Sequence, residues 1–248
     1  MTIEHVRAPA KLTTRLRIVG VRDDGYHLID AEMITLDLFD ELTIVSNGTG
    51  VSVVGPAGGA SDLAVDPENN LVTKALRLVG IDAAISLTKN IPAGAGLGGG
   101  SADAAAVLRW AGFTDVKAAA TIGADVAFCL LGGRARVEGI GEIVSPLEFE
   151  SATFTLVTPP VHCSTPAVYA QWDEMGGPRG TQWNDLEPAA LRVAPELLSY
   201  REALGDATGQ EPQLAGSGSS WFVRGAFPEA GMVVNACPAD LEFDDDFE

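Results

Sequence analysis

The sequence predicts an α+β protein organised in two halves. Short β-rich runs alternate with turn signals through the first hundred residues, and a helix-forming stretch then follows a glycine-rich segment. The second half begins near Leu147 and returns to β-like and helical stretches, among them residues 154–157 and 189–204. We therefore expect two domains, residues 1–146 and residues 147–248.

Each element of the first half has its own signal. Runs rich in β-branched residues predict strands at residues 16–19, 33–36, 42–45 and 51–54. The Asn47-Gly48 pair predicts a hairpin turn between the last two of these strands. Apolar residues at helical spacing predict an amphipathic helix over residues 70–79, which Gly80 ends. Residues 84–88 predict one more strand before the glycines.

Composition argues against several classes of function. A net charge of −18 disfavours a nucleic-acid partner, because such binding depends on lysine and arginine neutralising phosphates. Three cysteines, Cys129, Cys163 and Cys237, are far apart and odd in number, which suits neither disulfides nor a metal site and favours the reducing cytoplasm. The sequence shows neither a signal peptide nor an apolar segment long enough to span a bilayer. We expect a cytoplasmic protein without a membrane partner.

A glycine-rich loop is the main functional signal in the chain. Five glycines fall within residues 94–100, directly before the helix-forming residues 102–110. Glycine permits positive φ, and the first turn of a helix adds unpaired N–H groups and the positive end of the helix dipole. We expect this loop to bind phosphate, with Ser101 near the helix cap.

Two familiar phosphate motifs do not match this loop. The pattern G-x-x-x-x-G-K-[ST] is absent, and the run lacks the acidic residue about 20 positions further on, in a βαβ unit, that a dinucleotide fold requires. Short glycine motifs also occur in loops without a ligand. The loop alone therefore leaves open a flexible connection before a helix of small residues.

Several segments, in order along the chain, resemble the superfamily of galactokinase, homoserine kinase, mevalonate kinase and phosphomevalonate kinase. Within it they resemble the kinases that act on a cytidine diphosphate-linked methylerythritol. The matching segments are Ala-Pro-Ala-Lys-Leu at residues 8–12, Asp-Gly-Tyr-His at 24–27, the phosphate loop and helix start at 89–105, Ile-Gly-Ala-Asp-Val at 122–126 with Gly-Ile-Gly-Glu at 139–142, Asn-Asp-Leu-Glu at 184–187, and a second glycine loop at 214–220.

The resemblance implies a two-domain small-metabolite kinase fold with the active site in the cleft between the domains. It also implies transfer of phosphate from ATP to the 2-hydroxyl of that substrate, a step of non-mevalonate isoprenoid synthesis. Asp125 would accept or orient the hydroxyl proton, and Lys11 would steady the developing alkoxide and the moving phosphoryl charge. Taken alone, Asp125 would be a helix cap and Lys11 a solvated surface lysine.

The resemblance further implies binding residues for each ligand. Tyr26, His27 and Tyr169 would hold the cytosine by stacking and hydrogen bonding, with a core position as the alternative for Tyr169. Thr13 would also lie on the substrate side. The residues implied to contact ATP are Asn70, Lys89, Pro92, Gly94, Gly96, Leu97, Gly98, Gly99, Gly100, Ser101, Gly216 and Gly218.

Mg²⁺ is implied together with ATP, held mainly by the phosphates, with Ser101 either contacting the phosphate or metal or only capping the helix. Two of the residues implied to contact ATP have a simpler structural interpretation: Asn70 could only start a helix, and Lys89 could only be an exposed lysine. The expected partners are the cytidine diphosphate-linked alcohol and ATP alone, and the expected state is a monomer or weak homodimer.

Two features depart from the resembled pattern. Thr13 stands where the family usually has asparagine, and only residues 111–121 separate the phosphate-loop helix from the aspartate segment, where the family has a longer connection. Two alternatives therefore stay open: another small-alcohol kinase of the superfamily, or an inactive nucleotide-binding relative.

Overall fold

The computed structural model describes residues 2–54, 69–161, 163–180 and 183–239. Its strands are β1 (Ile3–Val21), β2 (His27–Ser46), β3 (Val51–Val54), β4 (Ala83–Thr88), β5 (Arg134–Gly139), β6 (Ile143–Pro146), β7 (Thr153–Val157), β8 (Gln213–Leu214), β9 (Trp221–Arg224) and β10 (Met232–Cys237). Its helices are α1 (Leu71–Val79), α2 (Gly99–Trp110), α3 (Val116–Ala120), α4 (Val126–Leu131), α5 (Thr165–Glu174), α6 (Glu187–Val193) and α7 (Leu197–Thr208). This mixture of helices and mostly antiparallel strands confirms the α+β fold class.

Strand β2 is the centre of the sheet. Strand β1 pairs antiparallel along one edge of β2 for nearly its whole length. The other edge of β2 pairs in turn with β5, β10 and β4. Because β10 also pairs with β7, which leads on to β9 and β8, it links strands from both halves of the chain. The domain boundary between residues 146 and 147 stays a prediction.

Strand β1 is irregular where it carries Lys11. Its register against β2 shifts between Pro9 and Lys11, and again between Thr13 and Arg15. Irregularities of this kind re-aim side chains and are common beside active sites. Because side chains alternate along a strand, Lys11 and Thr13 share one face of this short segment, and both are buried.

Helix α2 contains the longest run of buried residues among the described helices. All its residues from 102 to 108 are buried, and the helix packs against α1, α4 and β1. Most of these residues are alanines, so neighbouring elements can approach the helix closely. Its buried alanines therefore fix the position of the glycine loop that precedes it. Among the helices in the described ranges, none combines the length and apolar composition needed to cross a bilayer.

Two predicted local features are wrong. Strand β3 pairs in parallel with β4, which lies between β3 and β2, so the chain does not form the predicted hairpin at Asn47 and Gly48. The predicted helical stretch over residues 189–204 is two helices, because Pro195 disfavours the helical conformation at Ala194, where φ is −137°. The predicted strands at 33–36 and 42–45 are parts of the one long strand β2, and the other predicted strands and the predicted helix before Gly80 are present.

Candidate active site

A cavity of about 1000 Å³ gathers side chains from distant parts of the chain. Strand β1, the loop before α2, the start of α4, helix α5 and the second glycine loop all contribute to its wall. It is lined by every residue that the sequence placed in the site except Gly218. The lining residues that were not individually assigned to the site include Asp103, Ile140, Leu186 and Ser217, which fall within the matching segments, and Thr165, which does not.

The first glycine loop adopts a conformation that only glycine permits without strain. Gly94, Gly96 and Gly98 have φ of 71°, 76° and 71°, in the left-handed region. A Cβ on Gly96 would stand 2.5 Å from the carbonyl oxygen of Ala215 and 2.7 Å from that of Gly218. The two glycine loops therefore pack directly on each other and form one wall of the cavity.

The second glycine loop is tied to its surroundings by hydrogen bonds. The N–H of Ser220 donates to the carbonyl of Ala95 in the first loop at 3.2 Å. Asn184 donates its side-chain amide to the carbonyls of Leu214 and Gly216 at 2.8 and 2.7 Å. Gly218 lies behind the wall, beside Cys163, so it supports the loop rather than lining the cavity.

Helix α2 begins at the end of the first loop. Its N-cap is Gly98, so Ser101 lies near the cap as expected, in the first turn of the helix, but is not the capping residue itself. The first four N–H groups of a helix have no partner within the helix. Gly99, Gly100 and Ser101 all line the cavity, which gives this end of the cavity the donors that an anion requires.

Lys11 and Asp125 form an ion pair in the cavity. The Lys11 Nζ lies 3.1 Å from Asp125 Oδ2, and it also donates to Thr13 Oγ1 at 3.1 Å. Lys11 is only 5% exposed, and its backbone N–H donates to Leu97 of the glycine loop. A Cβ on Gly98 would stand 2.7 Å from Lys11 Cγ, so the loop packs on the lysine stem. Lys11 is therefore a buried residue of the site and not a solvated surface lysine.

Asp125 stands at the N-cap position of α4, yet its side chain makes no cap hydrogen bond. A third of the side chain is exposed, at 32%, in the cavity wall. Gly141, in the turn after β5, packs against Ala124, the residue before Asp125, because a Cβ on Gly141 would stand 2.8 Å from the carbonyl oxygen of Ala124. This contact supports the backbone beside Asp125, and the Asp125 carboxylate pairs with Lys11 instead of capping the helix.

A cluster of rings forms another side of the cavity. The His27 ring lies 4.7 Å from the Tyr169 ring and 5.5 Å from the Trp172 ring, edge-on to the latter. His27 Nε2 is 2.8 Å from Asp173 Oδ1, while Tyr26 is 60% exposed at the rim. Trp172 and Asp173 do not line the cavity but hold His27 from behind, and neither was predicted from the sequence, although both follow Tyr169 at the helical spacing that places residues side by side.

Asn70 and Lys89 line the cavity but already have protein partners. The Asn70 side chain caps α1 by accepting from Val72 and Thr73 N–H groups at 2.9 and 3.1 Å. Lys89 is not the exposed lysine of the plainer alternative, since its Nζ bonds to Asp103 at 2.6 Å and also to Asp40.

Charges shift the ionisation of this cluster. Burial lowers the pKa of Lys89, but the charges of Asp103 and Asp40 raise it by more, so the pKa of Lys89 lies above its ordinary value. Burial raises the pKa of Asp103 to about 7, against the lowering effect of Lys89. Lys89 consequently stays charged while it bridges the two carboxyl groups.

No group of three or more His, Cys, Asp or Glu side chains is placed to hold a metal ion within the part of the chain that the structure describes. All three cysteines are free and buried.

Comparisons with known proteins agree with this geometry. Residues 70–133 match the model of the GHMP kinases N terminal domain, which covers the glycine loop and Asp125. The chain is 39% identical to a 4-diphosphocytidyl-2-C-methyl-D-erythritol kinase of Paracoccus denitrificans, over 92% of this chain and 89% of the relative. It is 37% identical to the kinase of the same name from Ruegeria pomeroyi, over 90% of this chain and 88% of the relative.

Solved structures give the same result. A crystal structure of a 4-(cytidine 5'-diphospho)-2C-methyl-D-erythritol kinase superposes with a TM-score of 0.73 at 29% identity, over 94% of this chain and 98% of that one. A homoserine kinase from Cytophaga hutchinsonii shares the fold, with a TM-score of 0.60 at 20% identity over 94% and 95% of the two chains. With relatives of this identity along almost the whole chain, the protein belongs to the 4-diphosphocytidyl-2-C-methyl-D-erythritol kinase family of GHMP kinases.

Proposed function

We propose that the protein transfers the γ-phosphate of ATP to the 2-hydroxyl of 4-diphosphocytidyl-2-C-methyl-D-erythritol. The observation that carries the proposal is the Lys11–Asp125 pair, at 3.1 Å, in a cavity that also contains a phosphate-type glycine loop and a ring cluster. The reaction belongs to the non-mevalonate route to isoprenoid precursors, and we propose that it takes place in the cytoplasm.

The nucleotide end of the cavity is suited to ATP. Its donors are the backbone N–H groups of the glycine loop and of the first turn of α2, which favour an anion near a helix N-terminus. Gly96 and Gly98 let this wall pack closely on the second glycine loop and on the Lys11 stem, because a Cβ on either residue would meet those neighbours. In the proposal Asn70 and Lys89 lie near the adenosine, with the Lys89 ammonium beside Gly99 at the start of α2.

The chain fits Mg²⁺ only as a companion of ATP. Hard cations prefer oxygen ligands, and the metal would neutralise charge on the transferring phosphoryl group. Ser101 Oγ, on the first turn of α2, is the side chain that we propose as a contact for the phosphate or the metal. Asp125 stays committed to Lys11 and to the acceptor hydroxyl.

Asp125 acts as the general base in the proposed reaction. Its carboxylate takes the proton of the substrate hydroxyl while that oxygen bonds to the γ-phosphorus. The bond from the γ-phosphorus to the bridging oxygen breaks, and ADP leaves with that electron pair. Lys11 holds the carboxylate in place and offsets the negative charge on the attacking oxygen, because its ammonium contacts Asp125 directly.

Thr13 completes the surroundings of Lys11. It accepts a hydrogen bond from the buried ammonium, which is the kind of contact that fixes a lysine side chain in one direction. The short connection after α2 is occupied by α3, which packs against α4 with Ala119 fully buried. Both departures from the family pattern are therefore accommodated by local contacts, which supports an active kinase over an inactive relative.

The ring cluster is the proposed cytosine site. Because an ionised carboxylate only accepts hydrogen bonds, Asp173 fixes the hydrogen of His27 on Nε2 and leaves Nδ1 for the base edge. Tyr26 and Tyr169 provide faces for stacking. A cytidine site separates this proposal from another small-alcohol kinase, whose substrates carry no base.

The test is product analysis with the wild-type chain. Mg-ATP is incubated with 4-diphosphocytidyl-2-C-methyl-D-erythritol, homoserine or mevalonate, and ADP and the phosphorylated product are measured by phosphorus NMR. We expect product with the cytidine substrate alone, and inhibition by free cytidine diphosphate. Product with another alcohol would assign a different kinase activity, and ATP binding without any product would favour an inactive relative.

A further inference from the structure

Lys89 is the centre of a buried ion cluster beneath the glycine loop. Its ammonium lies between Asp103 of α2, at 2.6 Å, and Asp40 of β2. Asp40 is 0% exposed and Asp103 is 3% exposed, so both carboxyl groups are removed from water. Two carboxyl groups therefore share one cation at the floor of the cavity.

This cluster contacts both ends of the glycine loop. Asp40 Oδ1 accepts hydrogen bonds from the backbone N–H groups of Asn90 and Ile91, at 2.6 and 2.8 Å, in the segment that leads into the loop. Asp103 belongs to the helix that begins where the loop ends. Lys89 joins the two carboxyl groups, so one continuous network fixes the entry and the exit of the loop relative to each other.

Lys89 also reaches the wall that the phosphates would touch. A Cβ on Gly99 would stand 3.3 Å from Lys89 Nζ, which places the ammonium beside the first residue of α2. The second oxygen of Asp103, Oδ1, is buried and has no hydrogen-bond partner within the described residues. Asp103 thus uses its single ion pair to hold Lys89 in this place.

Stability alone is a poor reason for such a cluster. Buried ion pairs often contribute no more than apolar residues of the same volume, because desolvating the charges is costly. Their better-attested role is to specify one geometry. The glycine loop needs one fixed geometry, because it must direct several N–H groups at the same anion.

We infer that Asp103 is a positioning residue for nucleotide binding. It acts through Lys89, which holds the two ends of the glycine loop at a fixed separation and keeps its own ammonium beside Gly99. The inference rests on the proposed function only in that the loop binds the phosphates of ATP, and the identity of the alcohol does not enter it.

The first experiment measures the Kd of Mg-ATP by calorimetry without an alcohol substrate. Asp103→Asn keeps the size of the side chain and removes its charge, and we expect the Kd to rise about tenfold because Lys89 keeps only Asp40 as an ionic partner and is no longer tied to α2. Asp30→Asn is the matched control, since Asp30 pairs with Arg15 and Arg136 outside the cavity. The control should leave the Kd unchanged even if it lowers the melting temperature.

A double-mutant cycle then separates a positioning role from a general loss of stability. Lys89→Met, Asp103→Asn and the double variant are compared, and the effect of the Asp103 substitution should disappear once Lys89 is absent. Independent, additive effects on Kd would overturn the inference. If Lys89→Met does not fold, Lys89→Gln, which also removes the charge, takes its place in the cycle.

The outcomes also separate this inference from the proposed function. Wild-type protein that fails to bind Mg-ATP would contradict the proposed kinase activity. Wild-type protein that binds ATP, with Asp103→Asn binding equally tightly, would overturn the positioning role alone.

Discussion

Gly96 and Ala215 lie in contact across two glycine loops. The position of a Cβ on Gly96 is 2.5 Å from the carbonyl oxygen of Ala215, well inside any tolerable separation. Backbone therefore meets backbone at this point, and no flexible side chain can move aside. The nucleotide wall of the cavity depends on that close approach.

Gly96→Ala is expected to damage the nucleotide site. The added methyl group must displace Ala215 and Gly218, and the residue must also keep a φ of 76°. We expect a loss of about 1 to 3 kcal/mol in the free energy of unfolding and a clear loss of ATP affinity. Chemical denaturation and calorimetry with Mg-ATP measure the two effects.

Gly209→Ala is the control for backbone strain alone. Gly209 has a similar φ of 67°, but a Cβ there would meet nothing within 4 Å. It should cost about 1 kcal/mol of stability and leave ATP affinity intact. Equal effects of the two substitutions on ATP affinity would argue against packing of the two loops as the cause.

Thr13→Val is expected to slow the reaction. Valine has nearly the shape of threonine but cannot accept the hydrogen bond from the buried Lys11 ammonium. A lost hydrogen bond to a charged group corresponds to about 1.5 to 3 kcal/mol, so kcat should fall by about tenfold or more while the Kd of ATP changes little. Thr13→Ser should retain most of the rate, and a valine variant with wild-type kcat would contradict this role.

Tyr169→Ala is expected to weaken binding of the cytidine substrate. The ring faces His27 at 4.7 Å, and base stacking on an aromatic ring is worth about 1 to 3 kcal/mol. The KM for the cytidine substrate should rise by about tenfold to a hundredfold, with the Kd of ATP unchanged. Burial raises the pKa of the Tyr169 hydroxyl, so it stays neutral, and Tyr169→Phe should behave as wild type. A rise in the Kd of ATP instead would contradict the assignment of this ring to the base.

Asp185 should contribute stability that depends on pH. The carboxylate is fully buried and accepts from Arg17 at 2.5 Å, from Arg179 at 2.7 Å and from two backbone N–H groups. Burial raises its pKa, but these donors lower it by more, so the pKa in the folded protein lies below its usual value. Its contribution is therefore complete above about pH 4 and is lost as the pH falls through the lowered pKa.

Asp185→Asn measures this contribution. The substitution should lower the free energy of unfolding by about 3 kcal/mol at pH 7, with a difference from wild type that shrinks below about pH 4. Urea denaturation at a series of pH values gives both results. A difference that stays constant down to pH 2 would rule out ionisation of Asp185 as its source.

Much of the site could be predicted from local sequence, because local chemistry dictates it. Glycines before a helix-forming run specify the loop, and Asn70 and Gly80 specify the ends of α1. Lys11 and Asp125 came from the family resemblance, since nothing near either residue in sequence indicates that they meet. The break between α6 and α7 was not predicted, although Pro195 is a local signal for it.

The remaining features depend on contacts that sequence patterns do not encode. Lys89 meets Asp40 and Asp103, which are 49 and 14 residues away along the chain. The position of β3 beside β4 is set by how the sheet assembles and not by the Asn47-Gly48 turn before β3. Likewise, Gly218 belongs to a segment with the composition of a phosphate loop, yet its carbonyl packs against Gly96 on the side away from the cavity.

The most direct measurement is the rate of ADP release by Asp125→Asn with Mg-ATP and 4-diphosphocytidyl-2-C-methyl-D-erythritol. Asparagine keeps the size of the side chain but cannot take the hydroxyl proton, so kcat should fall by about 10²- to 10⁴-fold while ATP binds as in wild type. A variant that turns over as fast as wild type would contradict the proposal that the Lys11–Asp125 pair carries the phosphoryl transfer.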